Sequence, residues 1–126
     1  VIRRTAIKRG KTSARKLRQS FDLLIRERIL ERDGRRCVRC GAEGSLAASH
    51  VFPKGKYPRM RFLEVNLLSL CYGCHIHWWH KDPIAAGEWF KKTYPERLEV
   101  LRVLRDTAPK VDLKALLAEL KGEVLG

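Results

Sequence analysis

The residues able to do chemistry are gathered in one stretch of the chain. Cys37-Val-Arg-Cys40 and Cys71-Tyr-Gly-Cys74 are two CxxC pairs, and two residues between thiols is the spacing at which a tight turn points both sulfurs at one tetrahedral ion. Gly41 after the first pair and Gly73 inside the second supply the backbone freedom such turns use. Four thiolates leave no open coordination position, so a zinc held there is structural and any chemistry lies elsewhere. A redox CxxC or a pair of disulfides is the competing reading, but a redox motif usually comes singly. All four histidines, His50, His75, His77 and His80, lie inside or just after the loop that the cysteines close, and so does the single asparagine, Asn66. Hydrolysing a phosphodiester near neutral pH needs a base for water, a divalent cation for the phosphate and leaving oxygen, and a group that orients the base. Histidine and asparagine can fill those roles.

The rest of the composition says what such a site would act on. Among 126 residues, 27 Lys and Arg face 14 Asp and Glu, a net charge of +13, which attracts polyanions and makes nucleic acid the first partner to consider. Arg3, Arg4, Lys8, Arg9, Lys11 and Arg15 stand in an opening block without any acid. Self-repulsion is expected to keep the first dozen residues extended without a partner, and the block reads as a phosphate-binding arm. No apolar run approaches the roughly 18 to 20 residues of a membrane span, and the basic start lacks the apolar run of a signal peptide, so the expectation is a cytoplasmic protein with no membrane partner. The scarcity of amides, one Asn and one Gln, fits a heat-adapted source.

The elements that must position the site follow from periodicity. From Ser13, a plausible N-cap, to Arg32, the residues Leu17, Phe21, Leu24, Ile25 and Ile29 recur at helical spacing until Asp33-Gly34 stops the helix. Residues 35 to 70, punctuated by Gly41, Gly44, Pro53, Gly55 and Pro58, read as irregular and strand-like. Short helices are expected from near Cys74, from Pro83 behind an Asp82 cap, and from Pro95 with Leu98, Leu101, Val103 and Leu104. A last helix from Asp112 carries Leu113, Leu116, Leu117 and Leu120, and packs on the domain or on a second subunit. Trp78 and Trp79 could stack on bases, although aromatic pairs beside a zinc site are more often core.

Cys-x-x-Cys-Gly, then Ala-Ser-His50, then Asn66-Leu-Leu-Ser-Leu-Cys-x-x-Cys-His75 resembles the HNH (His-Me finger) endonucleases whose ββα-metal motif is braced by a four-cysteine zinc. Pro58-Arg-Met-Arg-Phe62 ahead of Asn66 is further similar to phage recombination nucleases of the NinG/Rap type. The resemblance covers about residues 34 to 83. It implies a small α+β fold in which residues 1–33 form a basic arm and amphipathic helix, 34–83 a zinc-stapled ββα-metal core, and 84–126 a helical tail. It implies metal-dependent hydrolysis of DNA, of branched or recombination intermediates in a prokaryotic host cell and a phage-type setting, with Mg²⁺ or Mn²⁺ as the catalytic ion. His50 becomes the base at the end of the first strand, with its ring held by Asn66, and His75 becomes a ligand of the catalytic ion. Two cuts across a junction would want a homodimer.

One position departs from the pattern. Many HNH enzymes carry Asp or His as a metal ligand just before the base, and this chain has Ser49. The shell must then be completed from His80, His77, the Asn66 oxygen or waters. A five-residue step on an α-helix turns about 500°, about 140° past a full turn, so His75 and His80 share an ion only if the helix loosens near Lys81 and Pro83. Arg59 and Arg61 are expected to grip phosphates beside the scissile one, with Lys54 and Lys56 joining them more loosely. The competing function is a non-catalytic zinc module that binds nucleic acid; Ser49 is the residue that favours it.

Overall fold

The computed structural model describes residues 2–125, with side chains from 13 to 119. A long helix, α1 (Ile2–Arg32), leads into a two-stranded antiparallel sheet of β1 (Leu46–His50) and β2 (Leu67–Cys71). β2 runs straight into a short helix, α2 (Tyr72–Cys74), which continues as a π turn over His75–Trp79. Three helices complete the chain: α3 (Pro83–Thr93), α4 (Pro95–Thr107) and α5 (Leu113–Leu125). This is a small α+β protein, with a two-stranded sheet and helices before and after it.

Helix α1 begins well before Ser13, so that residue is interior to the helix and caps nothing. Its opening residues were expected to be extended. Lys, Arg and Ala are strong helix formers, and that preference carries the turn back through the basic block despite its repulsion. The side chains of Arg3, Arg4, Lys8, Arg9 and Lys11 lie outside the described residues; Arg15 is exposed. The helix stops where expected, at Gly34, whose φ of +75° is left-handed backbone that glycine adopts freely.

Strand register sorts the side chains onto two faces. Ala48 opposite Ser69 and His50 opposite Leu67 face α1, while Ala47 opposite Leu70 and Ser49 opposite Leu68 face the other way. The α1 face packs Phe21, Ile25, Ile29, Phe62 and Leu67, and Leu113, Leu116 and Leu117 of α5 close over it. The opposite face packs Leu68, Leu70, Met60, Phe90 and Leu101 with Cys37 and Cys74. The expected apolar stripe of α1 is therefore largely right, but Leu24 is 50% exposed and belongs to neither cluster. On α4, Leu101 is buried and Val103 points out. The helical tail thus packs on the domain.

Side-chain caps open the two later helices α3 and α5, the first of them as the sequence led one to expect. Asp82 accepts from the Ala85 N–H ahead of Pro83, and Asp112 Oδ1 accepts from the N–H groups of Lys114 and Ala115.

Candidate active site and metal centre

The first CxxC pair sits on a tight turn: Cys37 N–H bonds Ala42 O at 2.8 Å, Gly41 N–H bonds Cys37 O at 2.9 Å, and Gly41 takes φ +82°. The second pair ends β2 and opens α2, where Cys71 Sγ accepts from the Cys74 N–H. All four sulfurs lie within 4.8 Å of one another, with Cys40 and Cys71 at 3.6 Å. A tetrahedral ion with Zn–S bonds near 2.3 Å wants sulfurs roughly 3.8 Å apart. The four free thiols are positioned to hold one metal ion and are consistent with structural zinc. Arg39, stacked on Trp78 at 3.7 Å, donates to Cys74 Sγ at 3.4 Å and would help to stabilise thiolate there.

His50 closes β1 and lines a cavity of about 1000 Å³ with His75, His80, Trp79, Lys54, Arg61 and Asp22. Its Nε2 lies 2.9 Å from the carbonyl of Arg61. A carbonyl only accepts, so Nε2 carries the proton and Nδ1 keeps the lone pair of the neutral ring. Burial pushes the His50 pKa down, helped by Lys54 and by the Arg61 charge, against the opposing pull of the Arg61 carbonyl and Asp22. The result is a neutral imidazole near pH 7, of fixed tautomer, facing a cavity. Both outward carbonyls at the ends of β1 are held: Leu46 O by Arg26 at 3.0 Å and His50 O by the Trp79 indole at 3.1 Å.

His75 and His80 meet. The π turn replaces the usual i→i+4 bond with His80 N–H to His75 O at 3.1 Å, which brings the five-residue pair onto one face with Nε2 atoms 2.8 Å apart. Two nitrogens sharing an ion with bonds near 2.1 Å sit roughly 3 Å apart when cis. Burial, then the neighbouring His80 and His50, hold the His75 pKa below its ordinary value, which favours the neutral, ligating form. Among the described residues the four cysteines are the one group of three or more such side chains drawn together, so the histidine pair supplies two ligands without a carboxylate. His77 is exposed and stacks edge-on against Tyr72. Trp78 and Trp79 are half-buried against the core.

Two expected roles change, those of Asn66 and Arg61. Asn66 does not touch the His50 ring: fully buried, it accepts from Phe52 N–H at 2.8 Å and donates to Phe52 O and Met60 O. Those bonds tie the base of the loop between the strands, because Asn66 lies at the end of a 3-10 turn (Glu64–Asn66) with its amide aimed across the loop. Arg61 is not free for phosphate, since its guanidinium is held by both carboxylate oxygens of Asp22. Ser49, on the face away from His50, is 1% exposed, and its Oγ has no hydrogen-bond partner among the described residues. Lys54, Lys56 and Arg59 are exposed as expected, Arg59 making one long bond to Ala108 O at 3.4 Å. Nothing in the spacing of residues pointed to Asp22 beside Arg61 or to Trp79 beside His50. The signal for Asp22 lay in composition: it is the one acid among the first 26 residues.

No protein-family model matches the chain, and no curated protein or solved structure matches it either. No helix among the described residues is long and apolar enough to cross a membrane.

The account of Asn66 carries a stability prediction. Asn66→Ala is expected to destabilise the fold by about 3 kcal/mol or more, since it strands Phe52 N–H and two carbonyls in a buried loop. Thermal unfolding should show a Tm lower by roughly 10 °C. A Tm within about 2 °C of the parent would mean that the amide bonds are replaced by water at no cost.

Proposed function

We propose that this chain is a metal-dependent DNA endonuclease of the HNH type, with a structural zinc at Cys37, Cys40, Cys71 and Cys74 and with His50 as the base that activates water. The observation that carries the reading is a neutral imidazole, fixed in its tautomer by the Arg61 carbonyl, lining one cavity with the converging nitrogens of His75 and His80. Nδ1 of His50 takes a proton from water while Nε2–H stays on the Arg61 carbonyl, which stabilises the imidazolium formed. Trp79 fixes the backbone of the base from the other side. His75 and His80 would hold the catalytic ion. That set, two nitrogens and no carboxylate, suits a transition ion such as Mn²⁺ better than Mg²⁺, which prefers oxygen. When bound, the ion supplies positive charge to the scissile phosphate and the departing oxygen.

The net charge of +13 supports nucleic acid as substrate, and the resemblance favours branched or recombination DNA in a phage-type setting. One observation favours a second reading, a non-catalytic zinc-stabilised nucleic-acid-binding module: Ser49 is turned into the core and no carboxylate joins the histidine pair. Incubating the zinc-loaded protein with supercoiled plasmid and a four-way junction, with Mn²⁺, Mg²⁺ or EDTA, decides between them. Metal-dependent cutting supports the nuclease; tight binding without cutting under any ion supports the module.

The direction of the His50 shift adds a pH prediction. The base works only when unprotonated, and burial lowers its pKa from 6.5. Cleavage is therefore expected to be retained down to pH 6.5 and lost on further acidification, as read from kcat/KM at constant ionic strength. An acid limb centred above pH 7 would contradict the assignment.

A further inference from the structure

Two consecutive residues of α1 clasp two consecutive residues of the loop between the strands. Phe21 and Phe62 pack edge to face with ring centroids 5.8 Å apart. Beside them Asp22 accepts from Arg61 Nε at 3.1 Å and from Nη2 at 2.5 Å. The side chains are 29% and 20% exposed, so this pair is bidentate and half-sheltered, unlike the single-contact surface pairs that contribute little. It also joins partners 39 residues apart in sequence.

Arg61 is the residue whose carbonyl receives the His50 Nε2–H. The backbone bonds flanking that carbonyl are weak anchors: Arg61 N–H to Pro58 O and Leu63 N–H to Met60 O are both 3.3 Å. Asn66 holds the preceding carbonyl, that of Met60. The side chain of Arg61 is left as the handle by which its own peptide is fixed, and the hand on it is Asp22.

We propose that Asp22 is a positioning residue for His50: by gripping the Arg61 guanidinium it fixes the carbonyl that keeps the ring proton on Nε2 and the lone pair on Nδ1. The proposal rests on the reading of His50 as the base. It assigns helix α1, which lies outside the stretch that resembles a nuclease, a part in orienting the site. It also explains why the one acid among the first 26 residues lines the cavity.

The test is ring ¹⁵N NMR of His50 in the zinc-loaded protein, with kcat and KM for DNA cleavage measured beside it. Asp22→Asn should convert a single Nε2–H tautomer into a mixture and lower kcat about ten-fold at unchanged KM, the loss expected of a misplaced catalytic group. Asp22→Glu should restore both. A charge exchange, Asp22→Arg with Arg61→Asp, should recover the tautomer lost in either single variant, and it decides the matter if Asp22→Asn fails to fold. An unchanged tautomer and kcat in folded Asp22→Asn overturns the proposal. So does tighter DNA binding with the tautomer intact, which would make Arg61 a phosphate contact that Asp22 merely masks. A wild type that cuts no DNA, while Asp22→Asn still shifts the tautomer, keeps the brace and removes the nuclease reading.

Discussion

His50→Ala is expected to lose metal-dependent cleavage by about 10²- to 10⁴-fold, the range that a positioned general base contributes, while its metal content and DNA affinity stay those of the parent. The separation follows from the structure. The cysteine tetrad packs with the cluster on the far face of the sheet, around Leu68, Leu70 and Leu101, whereas His50 faces α1. Removing the imidazole frees one carbonyl, that of Arg61, at the edge of a cavity where water can reach it. The structural cost is therefore small beside the catalytic one. Plasmid nicking by protein of verified zinc content, with Mn²⁺ in excess, is the measurement. Cutting that persists within about ten-fold of the parent would place the base elsewhere.

Removing the metal from the cysteines is expected to unfold half of the protein. Cys37 and Cys74 are buried members of the larger core cluster, and Cys71 joins β2 to the helix that carries His75. Without an ion, four thiols crowd one another at the edge of that packing, with Cys37 and Cys74 buried in it and Cys40 exposed. Apparent zinc-binding free energies for such sites run to about 10 to 16 kcal/mol, comparable with the roughly 5 to 15 kcal/mol that a whole domain has in hand. Chelation, or Cys71→Ser, should therefore release one metal per chain and collapse the near-ultraviolet circular dichroism of Trp78, Trp79 and Trp89, while helical signal from α1 survives in part. Re-addition of Zn²⁺ should restore the spectrum after chelation but not in the variant. Retention of the full tertiary signal in metal-free protein would refute a structural ion.

Local signals were legible in the sequence and long-range ones were not. The CxxC turns, the stop at Gly34 and the Asp82 cap before Pro83 all depend on residues within a few positions of one another, and all stand in the structure. Asn66 was recognised as special, but its partners are backbone groups of Phe52 and Met60, which no spacing rule specifies. Arg61 looked like a phosphate contact because its partner is 39 residues away. Ser13 satisfied the composition of a cap, yet an N-cap needs the chain to leave the helix there, and the lysines and arginines before it do not leave. The spacing of His75 and His80 raised the right question, whether the helix loosens, and placed the loosening near Lys81 and Pro83. It falls earlier, between His75 and His80.

That π turn sets a phase as well as pairing His75 with His80. Cys74 at its start faces the metal tetrad, Trp79 at its end must reach the His50 carbonyl, and Asp82 must arrive in position to cap α3. An ordinary α-helix would advance about 100° per residue throughout and would deliver the later residues out of step with the first. The wider turn absorbs the mismatch, so one short segment is indexed at both ends: to the cysteine tetrad through Cys74 and to His50 through Trp79. Loss or gain of a single residue between them would leave each end well formed and the two out of register, with His50 and the tetrad each intact and no longer aligned.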